Sequence, residues 1–302
     1  MEIKYLNNAQ IDKDSWDSCI KNSYNSLVYG YSWYLDSLAD NWDAIVVGNY
    51  DAVFPLPFRK KMGICYLYQP FFMQQLGLFP RKDINISIDE VLDAIPQKFK
   101  YWDLQINGSF KSTKYSLEDK TTLHIDLSDP YETIKSRYSK DAIKNIRKAN
   151  ASNWELCTNN NIDLVLNDYK KAYGELNHNI LELDYDNLTQ ALTIATKQKM
   201  VNAYSLIDEN KERMGSAIFL KSNNAIHYIM GAPTEKGRKI SATHVLIDLI
   251  LKENSGTNAI FDFEGSEIPS VANFYKKFGV KKYTYYKLRV NKLPFPLSLL
   301  KK

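Results

Sequence analysis

AIFDFEGSEIPSVANFYKKFGVKKYTYYKLRV, residues 259–290, is the stretch whose reading decides the fold class. Ala259 to Glu264 alternates apolar and acidic residues at period two. As a strand it packs Phe261 and Phe263 on one face and sets Asp262 and Glu264 on the other. Gly265-Ser266 breaks the strand, and Pro269 suits a first helical position. Val271, Phe274, Tyr275 and Phe278 then recur at helical spacing until Gly279 ends the helix. An aromatic strand, Tyr283 to Val290, follows. Strand, turn, helix and strand in so short a space predict a mixed α/β architecture.

Ala272-Asn-Phe-Tyr-Lys-Lys-Phe-Gly-Val280 resembles the carboxy-terminal signature of the GNAT acyltransferase superfamily, with Tyr275 in register. The lead-in Asp262-Phe-Glu-Gly-Ser266 is similar to the FemAB-like branch, in which two GNAT-like domains are fused in one chain. This resemblance implies acyl transfer from a thioester, with the tyrosine at position 275 protonating the thiolate of departing coenzyme A.

The rest of the chain is consistent with that size. At 302 residues, with 44% hydrophobic and 13% aromatic residues, it has material for one large or two medium cores. A net charge of +4 is too small for a dedicated nucleic-acid binder. Cys19, Cys65 and Cys157 lack Cys-x-x-Cys spacing, which points to a reducing, cytoplasmic setting. No apolar run has membrane-spanning length, so no membrane insertion is expected. The four histidines show no paired ligand spacing, so no metal is expected either.

Along the chain, helices at about 14–23 and 32–39 precede strands at 43–48, 52–59 and 64–72, a helix at 87–99 and strands at 101–107 and 121–127. A helix from Asp129-Pro130 to about Ala151 carries Lys135, Arg137, Lys140, Lys144, Arg147 and Lys148 and reads as a joint. Its segment Asp141 to Ala149 is similar to the basic helix that FemAB-like proteins carry near their domain junction. The same succession then restarts: helices at 163–175 and 186–199, strands at 202–208, 214–221 and 225–231, and a helix at 242–252. Trp102-Asp-Leu-Gln105 corresponds to Phe261-Asp-Phe-Glu264. The expected organisation is two tandem GNAT-like domains, residues 1–150 on the acceptor side and 151–302 binding the acyl donor. Each is a mixed, mainly antiparallel sheet flanked by helices.

Three groups of residues are candidates for chemistry. Glu264 and Asp262 are candidate bases for an attacking amine, with His227 on the preceding strand as a further possibility, while Asp262 can equally serve the cap at Ser266. The segment 232–241 precedes a helix, and Lys236, Gly237, Arg238, Lys239, Ser241 and Ala242 supply cations and small residues where the resemblance implies that the pyrophosphate of coenzyme A is bound. Its match to the family pattern is incomplete, because Lys239 occupies a small position and Thr234 a basic one. Gln69, Gln74 and Gln75 interrupt an aromatic strand end and suit either a polar acceptor or a domain interface. The resulting expectation is an N-acyltransferase that uses acyl-CoA such as acetyl-CoA on a small-molecule or peptide amine. Two alternatives are transfer from aminoacyl-tRNA to a cell-wall precursor and a non-catalytic binding module. Tyr275 in place of the Lys of the Phe-Lys-x-x-Phe-Gly pattern of the tRNA-dependent ligases weighs toward coenzyme A.

Overall fold

The computed structural model describes every residue except 82, 83, 85, 150–153, 159, 160, 223, 266, 267, 301 and 302, and the side chains of 176, 177 and 300. The chain divides into two compact units, Met1–Thr121 with Thr284–Lys302, and Thr122–Tyr283.

In the first unit, β1 (Ile3–Leu6), α1 (Lys13–Asn22) and α2 (Ser32–Leu38) lead into β2 (Trp42–Val47), β3 (Ala52–Lys61) and β4 (Ile64–Tyr68). The short β5 (Phe79–Pro80), α3 (Ile88–Asp93), β6 (Phe99–Ile106) and the start of β7 (Leu117–Asp126) follow. β1 to β4 pair antiparallel in sequence order, whereas β4 and β6 run parallel. Asp12 starts α1 by accepting from the backbone of Asp14 and Ser15, and a capping box of Ser87 and Glu90 starts α3. The core gathers Phe54, Leu67, Phe99, Trp102 and Leu104 with Tyr286 and Leu288.

The second unit holds α4 (Tyr131–Ser136), α5 (Lys140–Ala149), β8 (Glu155–Thr158), α6 (Ile162–Tyr173), α7 (Glu182–Lys197), β9 (Val201–Ile207), β10 (Arg213–Ser222) and β11 (Ala225–Pro233). α8 (Glu235–Lys239), α9 (Ala242–Asn254), β12 (Ile260–Asp262) and α10 (Pro269–Lys276) complete it, before β13 (Lys281–Asn291). β8 to β11 are again antiparallel neighbours, and β11 and β12 are again parallel. Its core joins Phe219, Tyr228, Phe261, Phe263 and Phe278 to Leu246, Ile250 and Ile146.

Three differences from the sequence reading have physical causes. The helix expected from 130 to 151 is two helices. Ser139 interrupts it: its hydroxyl accepts from the Ala142 N–H, and its own N–H donates to the Lys277 carbonyl at the end of α10. The strand expected to run to Glu264 ends at Asp262, because Glu264 adopts a left-handed backbone with φ of +61°. The final strand does not close the unit that precedes it. β13 pairs through Tyr286–Asn291 with Ile106–Tyr101 of the first unit, while β7 gives His124–Asp126 to β12 in the second. The compact units therefore part at Thr121/Thr122 rather than at 150/151, a position that lies outside the described residues, as does the cap expected at Ser266. All three cysteines are free, and no described helix is long and apolar enough to cross a membrane.

Candidate active site in the second unit

β11 and β12 pair only at Ala225↔Ile260, Ile226↔Phe261 and His227↔Asp262, although β11 continues to Pro233. Beyond His227 it is joined, among the described residues, to β10 alone, through a register shift that skips Ile229 opposite Ile218 and Phe219. A bulge of this kind bends the strand and redirects its backbone. The two parallel strands thus part just where the acidic residues begin.

Asp262 is 2% exposed. Its Oδ1 accepts from the Thr122 hydroxyl at 2.7 Å and from the Glu264 N–H at 2.9 Å, a local turn in which Asp bonds its own backbone two residues on. That turn sets the left-handed Glu264 in place. Oδ2 lies 3.2 Å from His124 Nε2 and 3.6 Å from His227 Nδ1. Burial alone would push the Asp262 carboxyl up, but the two imidazoles outweigh it and hold it well below the usual carboxylate range. Both oxygens face buried groups rather than solvent, so the position of Asp262 does not support the expectation that it is a base meeting an incoming amine.

His227 is fully buried, with Nδ1 2.9 Å from Glu264 Oε1 and Nε2 3.5 Å from the Ser222 hydroxyl. Burial pulls its pKa down, yet Asp262 and Glu264 more than compensate and push it up to about 9. Glu264 is the outermost member, its side chain 16% exposed. Structure thus joins Asp262, Glu264 and His227, and adds His124 and Thr122, which the sequence reading missed. A signal was present: Thr122, His124 and Asp126 alternate with the buried Leu123, Ile125 and Leu127, so the first two share a face.

Tyr275 packs beside the parting strands. Its ring lies 4.5 Å from that of Phe263 and 6.1 Å from that of Tyr228, while Phe274 and Phe278 turn toward His244. Burial, then Tyr169, Tyr173 and Glu264, raise the pKa of the Tyr275 hydroxyl, so it keeps its proton at neutral pH. Tyr169 and Tyr173 pack with tilted rings one turn apart on α6, an i, i+4 aromatic pair that sequence spacing could have identified.

The segment expected to wrap a pyrophosphate is largely helical. Thr234 caps α8 by accepting from the Gly237 N–H at 3.1 Å. Gly237 is buried, and a Cβ there would stand 1.7 Å from the Met214 carbonyl oxygen, so its smallness serves packing. Ala242 is likewise 1% exposed, and Lys236 is held by Glu212 at 2.6 and 2.8 Å. Arg238 and Lys239 remain exposed ahead of Ser241, whose left-handed backbone starts α9 and whose hydroxyl donates to Asn145 at 3.4 Å.

In the first unit, Gln69 is used internally. Its Oε1 accepts from the Gln105 N–H at 3.0 Å and its Nε2 donates to the Met73 carbonyl at 2.8 Å. Gln75 is 6% exposed and donates to Gln74. These amides brace a loop, which accounts for their place among aromatics.

No protein-family description and no curated protein sequence matches the chain. Among solved structures, FemX aligns over 100% of both chains with a TM-score of 0.68 at 14% identity. L-PGS from Bacillus licheniformis aligns over 96% of this chain and 95% of its own, with a TM-score of 0.54 at 12% identity. A conserved protein of unknown function from Bacteroides thetaiotaomicron aligns over 95% and 100%, with a TM-score of 0.58 at 12% identity. The fold is therefore FemX-like.

Proposed function

We propose that the second unit transfers an acyl group from acyl-coenzyme A to an amine. The observation that carries this reading is the parting of β11 from β12 beyond His227 and Asp262, with Glu264 and Tyr275 both at the opening. The pantetheine arm of coenzyme A carries two amides, and a strand edge released from its neighbour can bind such a chain as an added strand. Arg238, Lys239 and the start of α9 follow β11 and suit the phosphates at the other end of the donor.

In the reaction the amine nitrogen attacks the thioester carbonyl, a C–N bond forms and the C–S bond breaks. One Glu264 oxygen is tied to His227, and the other takes the proton of the amine. Tyr275, kept protonated by burial, gives its proton to the departing sulfur. His227 holds Glu264 in position, and Asp262 holds His227.

A second reading changes the donor to aminoacyl-tRNA. It is favoured by α5, where Lys140, Lys144, Arg147 and Lys148 are exposed and in no ion pair among the described residues. Phosphate contacts of that kind weaken steeply with salt.

A thermal-shift comparison of coenzyme A, acetyl-coenzyme A and tRNA separates the two, because a ligand of the folded state raises the melting temperature. Coenzyme A is expected to stabilise the protein, and Arg238→Ala with Lys239→Ala to reduce that shift. Stabilisation by tRNA alone, abolished by Lys144→Ala with Arg147→Ala, would transfer the proposal to the second donor.

A further inference from the structure

Spacing in the sequence pairs no histidine with another ligand, yet the fold gathers His227, Asp262 and Glu264 so that one donor atom of each lies within 4.8 Å of the others. Nδ1 of His227 is 2.9 Å from Glu264 Oε1 and 3.6 Å from Asp262 Oδ2. Four ligands around a tetrahedral ion, with bonds of about 2.0–2.2 Å, stand about 3.3 Å apart. The two separations from His227 bracket that value, and the third is within 4.8 Å.

The surroundings resemble a ligand set with its supports. The second ring nitrogen of His227 faces the Ser222 hydroxyl, and the second oxygen of Asp262 is taken by the Thr122 hydroxyl and the Glu264 N–H. Outer contacts of this sort orient the inner atoms of metal sites. This leaves His227 Nδ1, Asp262 Oδ2 and Glu264 Oε1 turned toward one another.

An independent observation comes from His124. It is 9% exposed, and neither of its ring nitrogens has a hydrogen-bond partner, although Nε2 lies 3.2 Å from Asp262 Oδ2. The approach is close but out of line for a hydrogen bond. A buried imidazole without a hydrogen bond is costly, and one directed at a carboxylate oxygen already facing a second imidazole has the chemistry of a ligand awaiting a cation.

We propose that His227, Asp262 and Glu264 form a binding site for a zinc-class divalent cation, with His124 Nε2 as the nearest further donor. Two imidazoles and two carboxylates favour zinc over magnesium or calcium, which take oxygen ligands alone. The ion enters past Glu264, the member with solvent exposure. It takes the place of the proton between His227 and Glu264 and converts Glu264 from base to ligand.

The test needs neither acyl donor nor acceptor, so its failure is distinguishable from failure of the transferase reading. Calorimetric titration of the chelator-treated full chain with zinc chloride is expected to give about one ion per chain and a higher melting temperature. Glu264→Gln is expected to weaken that binding at least about tenfold. Crystals soaked in zinc are expected to show anomalous density between His227, Asp262 and Glu264, a measurement on the unaltered protein that does not depend on any variant folding. Absence of saturable zinc binding, equal affinity in folded Glu264→Gln, or density confined to cysteines or surface residues overturns the proposal.

Discussion

The two units place an acid at the same point of the same strand pair and use it differently. In the first, Leu67↔Trp102 and Tyr68↔Asp103 end the parallel pairing of β4 with β6; in the second, Ile226↔Phe261 and His227↔Asp262 end that of β11 with β12. Beyond that point the first unit is closed by its own chain. Gln69 takes the Gln105 N–H, the Leu76 N–H donates to the Gln105 carbonyl, and the Asn107 N–H donates to the Leu76 carbonyl. Gly77 permits this return with φ of +119°, where a Cβ would stand 2.9 Å from the Asn107 nitrogen. In the second unit β11 departs with β10, and no described residue re-pairs the edge of β12 on that side. The acids follow suit. Asp103 is half-exposed beside Lys287 and Arg289, whereas Asp262 is buried between two imidazoles. The two units thus share this strand arrangement and differ in whether the pair is closed beyond it among the described residues.

The largest expected effect tests the buried acid. Asp262→Ala removes the partner of a buried imidazolium and should cost about 3–5 kcal/mol in urea unfolding. A loss below about 1 kcal/mol would make the two acids equivalent and break the comparison.

Tyr275→Phe comes next. If Tyr275 is the proton donor proposed above, turnover should fall by roughly 10- to 100-fold with melting temperature and donor affinity kept. Full activity in a stable variant would leave the opening without its acid.

Closure of the first unit is tested by Gln69→Ala. Loss of the bond to the Gln105 N–H should cost about 1–2 kcal/mol of stability while leaving KM for the amine unchanged. A raised KM at unaltered stability would instead return Gln69 to substrate binding.

Smallest is Asp103→Asn, in a half-exposed ion cluster of a kind where double-mutant measurements usually find under about 1 kcal/mol. Equal melting curves at low and high salt would sharpen the contrast with Asp262.

Local sequence signals alone determined the elements on both sides of this comparison. Turn-prone residues at 49–51 and 60–63 separated β2, β3 and β4, the expected helices at 163–175, 186–199 and 242–252 match α6, α7 and α9, and Pro269 with Gly279 bracketed α10, because local backbone preference decides such segments. It also singled out Glu264 and Tyr275 and the correspondence of Asp103 with Asp262. Tertiary structure decided the rest. That β13 belongs with β6 and β7 with β12 depends on pairing across long separations, which no local pattern encodes. The capture of Gly237 by Met214, of Lys236 by Glu212 and of Gln69 by Gln105 depends on which neighbours folding brings near. The convergence of His124, from one end of the second unit, on Asp262 and His227 is of the same kind. Their chemistry comes from burial and mutual distance, quantities that exist only once the strands are side by side.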